Sequence, residues 1–389
     1  MKIMYLLPGG LFNSGGMERV ITLKANYLAD LPGYEVSIVT TEQNGRPVFF
    51  SLSEKVNLFH LDIGIYNRFG RESFFEKYVS RKRDISLYKK KLEQLLLENR
   101  QEVVISTFGL EIGFLSSIKD GSIKLAELHL SGEFRNISAK TISKNPLQHI
   151  VSTLRTGQMH RDSKKYSKII LLTKEEKSYW KNNKNIAVIP NPLPFYTDMQ
   201  AELTSKKAIA VGRLCYEKGF DMLIDAWKQV KEKHPDWTLS IFGGGEGETS
   251  LRNQISENNL EQHIFIHPPV SDICEQYLQH SFLVMTSRNE AFPMAIVESM
   301  SCGLACVSFS CRCGPKDLIA DGENGFLVEP ENRDELSEKI GRIIESENER
   351  IRMGHNARKM AGSYRIETVM KQWIDLFDQL KQQEQQEQQ

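Results

Sequence analysis

The sequence contains no apolar run that approaches the length of a membrane-spanning helix. Its first ten residues, MKIMYLLPGG, begin as an apolar stretch, but Pro8 interrupts them before the core of a signal peptide could form. Neither a membrane anchor nor a secretion signal is therefore predicted. We expect a cytoplasmic protein, with a peripheral contact on the inner face of the cell membrane as a further hypothesis.

Cysteine is also scarce and is confined to one region. All six cysteines of the 389 residues lie between Cys215 and Cys313. Four of them fall between residues 302 and 313, but they match no paired C-x2-C zinc spacing, and no histidine lies among them. We predict reduced, packed thiols rather than a zinc site or a disulfide framework.

Net charge is absent because 50 Lys and Arg balance 50 Asp and Glu. The balance conceals an asymmetry, since residues 1–190 hold 29 basic and 19 acidic side chains, whereas residues 191–389 hold 21 and 31. A basic half suggests an anionic partner. No nucleic-acid-binding motif is recognisable, so we expect no nucleic acid and favour a phospholipid surface or a lipid pyrophosphate.

Positive charge is densest in residues 68–100, for which a helix is predicted. The basic side chains there include Arg71, Lys77, Arg81, Lys82, Arg83, Lys89, Lys90 and Lys91. They are interleaved with Phe74, Phe75, Tyr78, Ile85, Leu87, Tyr88 and Leu92. Two interpretations remain open: a solvated helical face, or an interfacial surface whose aromatics enter the lipid headgroups while its cations meet anionic lipid.

The chain is longer than one hydrophobic core usually encloses, so two domains are expected. Strand-like and helical runs alternate on both sides of Asn191-Pro192-Leu193-Pro194, an extended segment that cannot continue a helix. This pattern predicts two doubly wound α/β domains, Rossmann-like in type, whose strand ends face each other across a cleft. The expected domains are residues 1–190 and 191–364, followed by a frayed tail at residues 381–389.

Two strand-to-helix junctions carry groups that suit a phosphate. Gly15 and Gly16 follow the first strand and open a helix, so backbone N–H groups and the positive helix end can approach an anion. Arg213 and Lys218 flank a strand end and a helix start, where a pyrophosphate would meet two cations. The glycine-rich residues 243–247 do not fit the dinucleotide-binding pattern, because a glutamate occupies position 248.

Two glutamates accompany a short helix predicted from Pro293 to Cys302. Glu290 precedes this helix, and Glu298 lies among its apolar residues. A buried carboxylate costs roughly several kcal/mol unless something donates hydrogen bonds to it, so we expect a ligand as its polar partner. A carboxylate suits this purpose because it can accept two hydrogen bonds from a vicinal diol.

One histidine stands where open parallel sheets bind ligands. His129 directly follows the strand predicted at residues 122–128, and ligands of such sheets lie at the carboxyl ends of the strands. A purely structural histidine is the alternative. Residues 131–165, which are basic and poor in strand character, are interpreted as loop and helix that frame an acceptor.

Together these motifs resemble a known family. Glu290 and Glu298 are separated by seven residues, and Ser-Met-Ser-Cys-Gly follows the second glutamate. This arrangement resembles the signature of the family 4 (group 1) retaining glycosyltransferases, which have the GT-B fold. GGMERV at residues 15–20 and GRLCYEKG at residues 212–219 are similar to that family's first glycine loop and diphosphate clamp. The resemblance is dense between about residues 211 and 328 and thins between residues 44 and 172.

The resemblance implies roles for the residues around the two glutamates. Glu290, with Ala291 and Phe292 beside it, would contact the donor sugar, and Glu298 would bind the ribose hydroxyls of the nucleotide. Ala291 departs from the family pattern, which usually has glycine at this position. The GT-B fold also implies that a final helix, at about residues 365–380, crosses back to the first domain.

It implies further roles for the candidate phosphate loops and for the histidine. Arg213 and Lys218 would stabilise the leaving diphosphate, and Gly15 and Gly16 would lie against the phosphates and sugar of the donor. His129 would support the sugar near the reacting carbon.

We therefore expect transfer of a hexose or N-acetylhexosamine from a nucleotide diphosphate sugar, with a UDP-sugar favoured, to a growing, lipid-linked glycan of the cell-surface polysaccharide type. The resemblance implies an alpha linkage, no cofactor and no metal. Two alternatives remain open. One is a non-hydrolysing nucleotide-sugar epimerase of GT-B fold, and the other is a non-catalytic subunit that binds nucleotide sugars or glycans.

Overall fold

The chain divides into two compact units in a computed structural model that describes residues 1–64, 74–129, 146–180 and 183–387. The first unit comprises Met1–Leu172, Glu176–Pro192 and Val369–Gln389. The second comprises Thr173–Glu175 and Leu193–Thr368. The main change of unit thus falls within Asn191-Pro192-Leu193-Pro194, where extended backbone replaces regular structure.

The described part of the first unit contains a seven-stranded sheet in the order β3-β2-β1-β4-β5-β6-β7, in which neighbouring strands are parallel. The strands at residues 2–7, 35–40 and 123–128 are almost continuously buried, as expected when both faces of a parallel sheet are covered. The strands of this sheet are β1 Lys2–Leu7, β2 Glu35–Thr40, β3 Val56–His60, β4 Val103–Ser106, β5 Ile123–Leu128, β6 Lys168–Leu171 and β7 Ile186–Val188.

Helices connect these strands. They are α1 Gly16–Asp30, α2 Phe74–Glu98, α3 Pro146–Ser163 and the single turn α4 Lys174–Lys177, with 3-10 turns at Leu110–Gly113, Leu115–Ser117 and Ser178–Trp180. The helix and strand pattern of the sequence is confirmed here to within a few residues. Of the segment interpreted as framing an acceptor, residues 131–145 lie outside the described residues, and the remainder is largely α3.

The interfacial interpretation of the basic helix α2 is wrong for part of its apolar face. Tyr88 and Leu92 of α2 are fully buried in the core of the first unit, where they cover the sheet, so they cannot enter a lipid layer. Arg81, Lys82, Arg83 and Lys90 are exposed, as is Leu87. Residues 68–73 of the predicted segment, Arg71 among them, lie outside the described residues, as do the side chains of Phe74, Phe75, Lys77 and Tyr78. The exposed side chains of α2 that the structure describes therefore include four cations and two aliphatic groups, Leu87 and Leu97.

The described part of the second unit repeats this architecture with a six-stranded parallel sheet in the order β10-β9-β8-β11-β12-β13. The strands are β8 Lys207–Val211, β9 Thr238–Phe242, β10 Ile264–His267, β11 Phe282–Met285, β12 Ala305–Phe309 and β13 Gly325–Val328. The helices are α5 Phe220–Lys233, α6 Glu248–Glu257, α7 Ile273–Leu278, α8 Met294–Ser301, α9 Pro315–Leu318, α10 Arg333–Glu345 and α11 Glu347–Ala361.

The last helix, α12 Ile366–Glu387, belongs to the first unit from Val369 onward. It buries Trp373 and Phe377 completely. The helix continues through most of residues 381–389, so the frayed tail expected from the sequence is wrong for residues 381–387. The reason is physical: glutamine, glutamate and lysine favour helix, and Nζ of Lys381 donates to Glu102 of the same unit at 2.5 Å.

Two expectations based on scarcity can be compared with the structure. Among the described residues, no helix combines the length and apolarity that a bilayer crossing requires. All six cysteines are free thiols, five of them buried, as predicted. Burial raises the pKa of Cys306 above its ordinary value, so this thiol stays protonated at neutral pH.

Candidate functional site

The loop that follows β8 carries two of the candidate cations. Arg213 is exposed, and Lys218 lies partly buried in the 3-10 turn Tyr216–Lys218. The loop rests on the neighbouring loop after β9, because the amides of Gly212 and Leu214 donate to the carbonyls of Phe242 and Gly244, each at 3.0 Å. Its backbone is therefore fixed from one side.

The triglycine after β9 has a packing role. A Cβ at Gly243 would lie 1.9 Å from the carbonyl oxygen of Gly212, so only glycine allows the two loops this close an approach. This geometry explains why glycines occur there without forming a dinucleotide-binding fingerprint.

The loop after β11 fixes the β8 loop from another direction. The hydroxyl of Thr286 donates to the carbonyl of Lys218 at 3.2 Å, and the amide of Arg288 donates to the carbonyl of Glu217 at 2.8 Å. Gly219 is left-handed, with φ 64°, and a Cβ there would lie 2.1 Å from the carbonyl oxygen of Thr286. The two loops interlock through backbone contacts that no larger residue at position 219 allows.

Sequence reasoning missed Arg288, which braces this junction. Its guanidinium pairs with both carboxylate oxygens of Asp221, at 2.9 and 2.6 Å, and Nη1 donates to the carbonyl of Tyr216 at 2.6 Å. The same group stacks 4.0 Å above the Tyr216 ring. Burial lowers the pKa of Arg288, but the bonds to Asp221 outweigh it and raise the pKa overall. The only sequence signal was an arginine two residues before Glu290.

Lys218 and Glu290 meet at this junction. Their Nζ and Oε1 atoms are 2.6 Å apart, and the hydroxyl of Ser287 donates to the same Oε1 at 2.7 Å. The lysine side chain is 24% exposed and the glutamate 10%, so the pair lies just below the surface. Residues 72 positions apart, predicted to bind the diphosphate and the sugar of one donor, are thus in direct contact.

Glu298 lies in α8, as predicted, and is buried. A protein group, rather than only a ligand, satisfies it: the hydroxyl of Tyr277 in α7 donates to its Oε2 at 3.3 Å. One helical turn later, the sulfur atoms of Cys302 and Cys274 are 3.7 Å apart. The expectation that a ligand must be the partner of Glu298 was therefore incomplete, because a tyrosine 21 residues earlier supplies a hydroxyl.

The two residues after Glu290 differ in environment. Ala291 is half-buried, whereas Phe292 is buried and packs against the ring of Tyr364 with centroids 5.8 Å apart. Phe292 thus anchors the loop in the core of the second unit. Of the two, Ala291 is therefore the residue that is partly exposed and could contact a ligand.

In the first unit, α1 begins at Gly16, with Gly15 as its extended N-cap. The space beside Gly16 is open, since a Cβ there would meet no atom within 4 Å. The carboxylate of Glu18 folds back over Gly15 and fills the space that a Cβ there would take. A carboxylate therefore already lies at this positive helix end, where the sequence analysis expects the phosphates and sugar of the donor.

His129 follows β5, at the same carboxyl edge of the sheet from which the Gly15 loop leaves β1. Its Nε2 lies 3.3 Å from Oε1 of Glu127, a carboxylate that is itself paired with Lys24. Burial acts to raise the pKa of Glu127, but the charges of Lys24 and His129 outweigh it and lower the pKa to about 2. Glu127 is therefore ionised throughout the neutral range.

No cluster of three metal-ligating side chains occurs in the part of the chain that the structure describes. The charged groups of the candidate site are instead lysine, arginine and glutamate. Such groups suit an anion and a set of hydroxyls.

Comparison with known proteins agrees with this chemistry. Residues 198–360 match the family model described as glycosyl transferases group 1. A protein described as an uncharacterized glycosyltransferase, from Haemophilus influenzae, is 30% identical over 374 residues, which cover 93% of this chain and 96% of the relative. The chain belongs to the group 1 glycosyltransferases.

Further similar proteins include a biosynthetic glycosyltransferase and a solved structure. The amylovoran biosynthesis glycosyltransferase AmsD of Erwinia amylovora is 31% identical over 222 residues, covering 54% of this chain and 62% of that protein. The crystal structure of a mutant of S. aureus TarM, in complex with fondaparinux, alpha-GlcNAc-glycerol and UDP, superimposes with a TM-score of 0.76 at 14% identity, covering 97% and 99% of the two chains. The expected two-domain GT-B fold is thereby confirmed.

Proposed function

We propose that the protein is a retaining glycosyltransferase that moves a hexose or N-acetylhexosamine from a UDP-sugar to a growing, lipid-linked glycan, forming an alpha linkage without a metal ion. In this reaction the bond between the anomeric carbon and the diphosphate breaks, and its electron pair leaves with the diphosphate. The acceptor hydroxyl oxygen bonds to the same face of that carbon. Its proton passes to the departing diphosphate.

The observation that carries this proposal is the Lys218–Glu290 contact at the interlocked loops of the second unit. Nζ of Lys218 and Oε1 of Glu290 are 2.6 Å apart, with Arg213 exposed on the same loop. A cation pair beside a carboxylate matches a molecule that joins a diphosphate to a polyhydroxylated sugar. The cations stabilise the negative charge that grows on the leaving diphosphate, which is the largest electrostatic demand of the reaction.

The remaining residues of the second unit follow from this arrangement. Glu298 accepts hydrogen bonds from the ribose hydroxyls, for which the Tyr277 hydroxyl fixes one carboxylate oxygen in advance. Ala291 and Phe292 shape the loop beside the sugar, with Phe292 as its anchor in the core. A UDP donor is favoured because the similar S. aureus structure holds UDP.

The first unit contributes Gly15, Gly16 and His129 under the same proposal. His129 supports the sugar near the anomeric carbon, and the glycines lie against the donor. The glycan acceptor is proposed from the names of the relatives, which include an amylovoran glycosyltransferase. A peripheral membrane contact is proposed for the exposed cations of α2, which would bring the enzyme to a lipid-linked acceptor.

Two measurements test the proposal. A thermal-shift panel with UDP, GDP, ADP and dTDP should raise the unfolding midpoint most with UDP, since a ligand of the folded state stabilises it. Radiolabelled UDP-sugars with lipid-linked acceptors should then yield a labelled glycan. Interconversion of the donor with its epimer would instead identify an epimerase, and UDP binding without turnover of any donor would identify a binding subunit.

A further inference from the structure

A buried ion pair lies directly beside His129, and the proposed function leaves it unused. Nζ of Lys24 in α1 is 2.7 and 2.6 Å from the two carboxylate oxygens of Glu127 in β5. The lysine side chain is 0% exposed and the glutamate 1%. The ammonium also lies 3.8 Å above the ring of Trp373 in α12 and 5.4 Å from the ring of Tyr5 in β1.

Stability alone is a weak reason for such a pair. Removing two charges from water costs several kcal/mol per ion, roughly, and their attraction often does no more than offset this cost. An apolar pair of similar volume would fill the same space between α1 and β5 at least as well. The charge of Glu127 therefore suggests a role toward a neighbour other than Lys24.

That neighbour is His129. Its side chain is 4% exposed, and Nε2 has no hydrogen-bond partner in the described structure although Oε1 of Glu127 lies 3.3 Å away. The distance of 3.3 Å is within hydrogen-bond range, so Nε2–H can donate to this oxygen when the ring is oriented toward it. The hydrogen bond would fix one tautomer, because the proton then resides on Nε2 and Nδ1 remains an acceptor.

We propose that Glu127 and Lys24 are positioning residues for His129: Glu127 accepts the Nε2 proton, and Lys24 keeps Glu127 ionised and in place, so that Nδ1 is presented to a hydroxyl of the donor sugar. This inference rests on the proposed role of His129 in sugar binding. Among the described residues, the charged groups that face His129 from the packed elements are Lys24 of α1 and Glu127 of β5, with the phenol of Tyr5 beside them.

Two double variants separate positioning from packing. Lys24→Met/Glu127→Leu removes both charges and the acceptor but keeps the interior filled, so the unit can fold. Lys24→Met/Glu127→Gln removes the charges but keeps an amide oxygen for Nε2–H. We expect the leucine variant to lower kcat for release of UDP from UDP-glucose or UDP-N-acetylglucosamine about tenfold, with donor KM within about twofold, and the glutamine variant to recover most of the loss.

A matched control lies on the same strand. Lys124 and Asp120 form a second ion pair at the start of β5, away from His129. Lys124→Met/Asp120→Asn should leave kcat unchanged. In a His129→Ala background, the leucine variant should cause no further loss, because the effect acts through the ring. An equal kcat in wild type and leucine variant, or a loss that persists without the ring, overturns the proposal.

A spectroscopic readout tests the positioning role independently of activity. Ring 15N shifts of His129, assigned by their absence in His129→Gln, should show the Nε2–H tautomer in the wild type and a mixture in the leucine variant. Identical ring shifts in the two proteins overturn the positioning role. A wild type that turns over no donor overturns the proposed transferase function instead, while the ring shifts still test the position of the histidine.

Discussion

The two units share one architecture but hold their candidate residues in different ways. In the second unit, the loops at residues 212–219 and 286–290 interlock through backbone hydrogen bonds, the Lys218–Glu290 contact and the Arg288 brace. In the first unit, α1 starts beside open space at Gly16, and Nε2 of His129 lies 3.3 Å from the carboxylate of Glu127. Under the proposed function, binding a diphosphate demands fixed charges in the second unit, whereas the first unit can vary with its acceptor.

If charge stabilisation resides in the second unit, removing a cation there should have the largest kinetic effect. Arg213→Ala should lower kcat by on the order of 10²–10³, as loss of a preorganised charge at a developing anion does. His129→Ala in the first unit should cost about tenfold less, because the ring supports the sugar and not the leaving charge. Initial rates of UDP release at saturating donor measure both. Near-normal turnover by Arg213→Ala would remove the basis of the comparison.

A glycine-to-alanine substitution should lower the free energy of unfolding by different amounts in the two strand-to-helix loops. Gly219→Ala combines left-handed backbone strain with a clash against the Thr286 carbonyl, so we expect a loss of about 3 kcal/mol in the free energy of unfolding. Gly16→Ala meets open space and should change the unfolding free energy by less than about 0.5 kcal/mol. Urea unfolding compares the two. Equal losses would show that the second loop is no more tightly fixed than the first.

Acid should act on the first unit through Glu127. The pKa of this carboxyl is lowered from 4.5 to about 2, so its stabilising effect is complete above the unfolded pKa and is lost as pH falls from about 4.5 toward 2. The expected contribution is about 3 kcal/mol. Melting temperatures between pH 6 and 3 should fall more steeply for wild type than for Lys24→Met/Glu127→Leu. Parallel curves would mean that the pair contributes no such charge effect.

The proposed contact of Glu298 with the ribose can be tested with two variants of this residue. Glu298→Ala should chiefly raise the donor KM, by about 10- to 100-fold, because hydrogen bonds to a charged group contribute about 1.5–3 kcal/mol. Glu298→Gln keeps an acceptor for Tyr277 and should bind the donor less weakly than the alanine variant. Donor titrations at fixed acceptor give KM and kcat separately. A lowered kcat with unchanged KM would place this carboxylate at the reacting carbon instead.

The local sequence pattern was sufficient to predict the strands and helices, but not the contacts between residues that are distant in sequence. Continuous apolar runs and glycine junctions located the strands and helices, because these depend on neighbours within a few residues. The interlock of Gly219 with Thr286 and the brace of Asp221 by Arg288 join residues about 70 positions apart, and no periodicity encodes such a pairing. The tyrosine that satisfies Glu298 could not be predicted for the same reason.

Buried charge was the signal that the sequence offered and that sequence reasoning did not use. Glu127 is, with Lys124, one of two charged residues in a fully buried strand, and Lys24 lies on the buried side of an amphipathic helix. Either residue alone would be expected as an exposed side chain. Their pairing depends on how α1 covers the sheet, which only the three-dimensional arrangement specifies. The roles of the candidate site residues themselves stay predictions until variants are measured.

The smallest effect expected is on lipid binding, and it again contrasts the two units. Each exposed cation near an anionic bilayer contributes about 1 kcal/mol, so Lys90→Gln in α2 should weaken binding to anionic vesicles about fivefold. Lys359→Gln, which removes an exposed lysine of the second unit, is the matched control and should leave binding unchanged. Sedimentation with vesicles that contain or lack anionic lipid measures both. Equal binding to neutral vesicles, or equal losses in the two variants, would mean that α2 is a solvated helical face, because a specific membrane contact requires the charge to act from one surface.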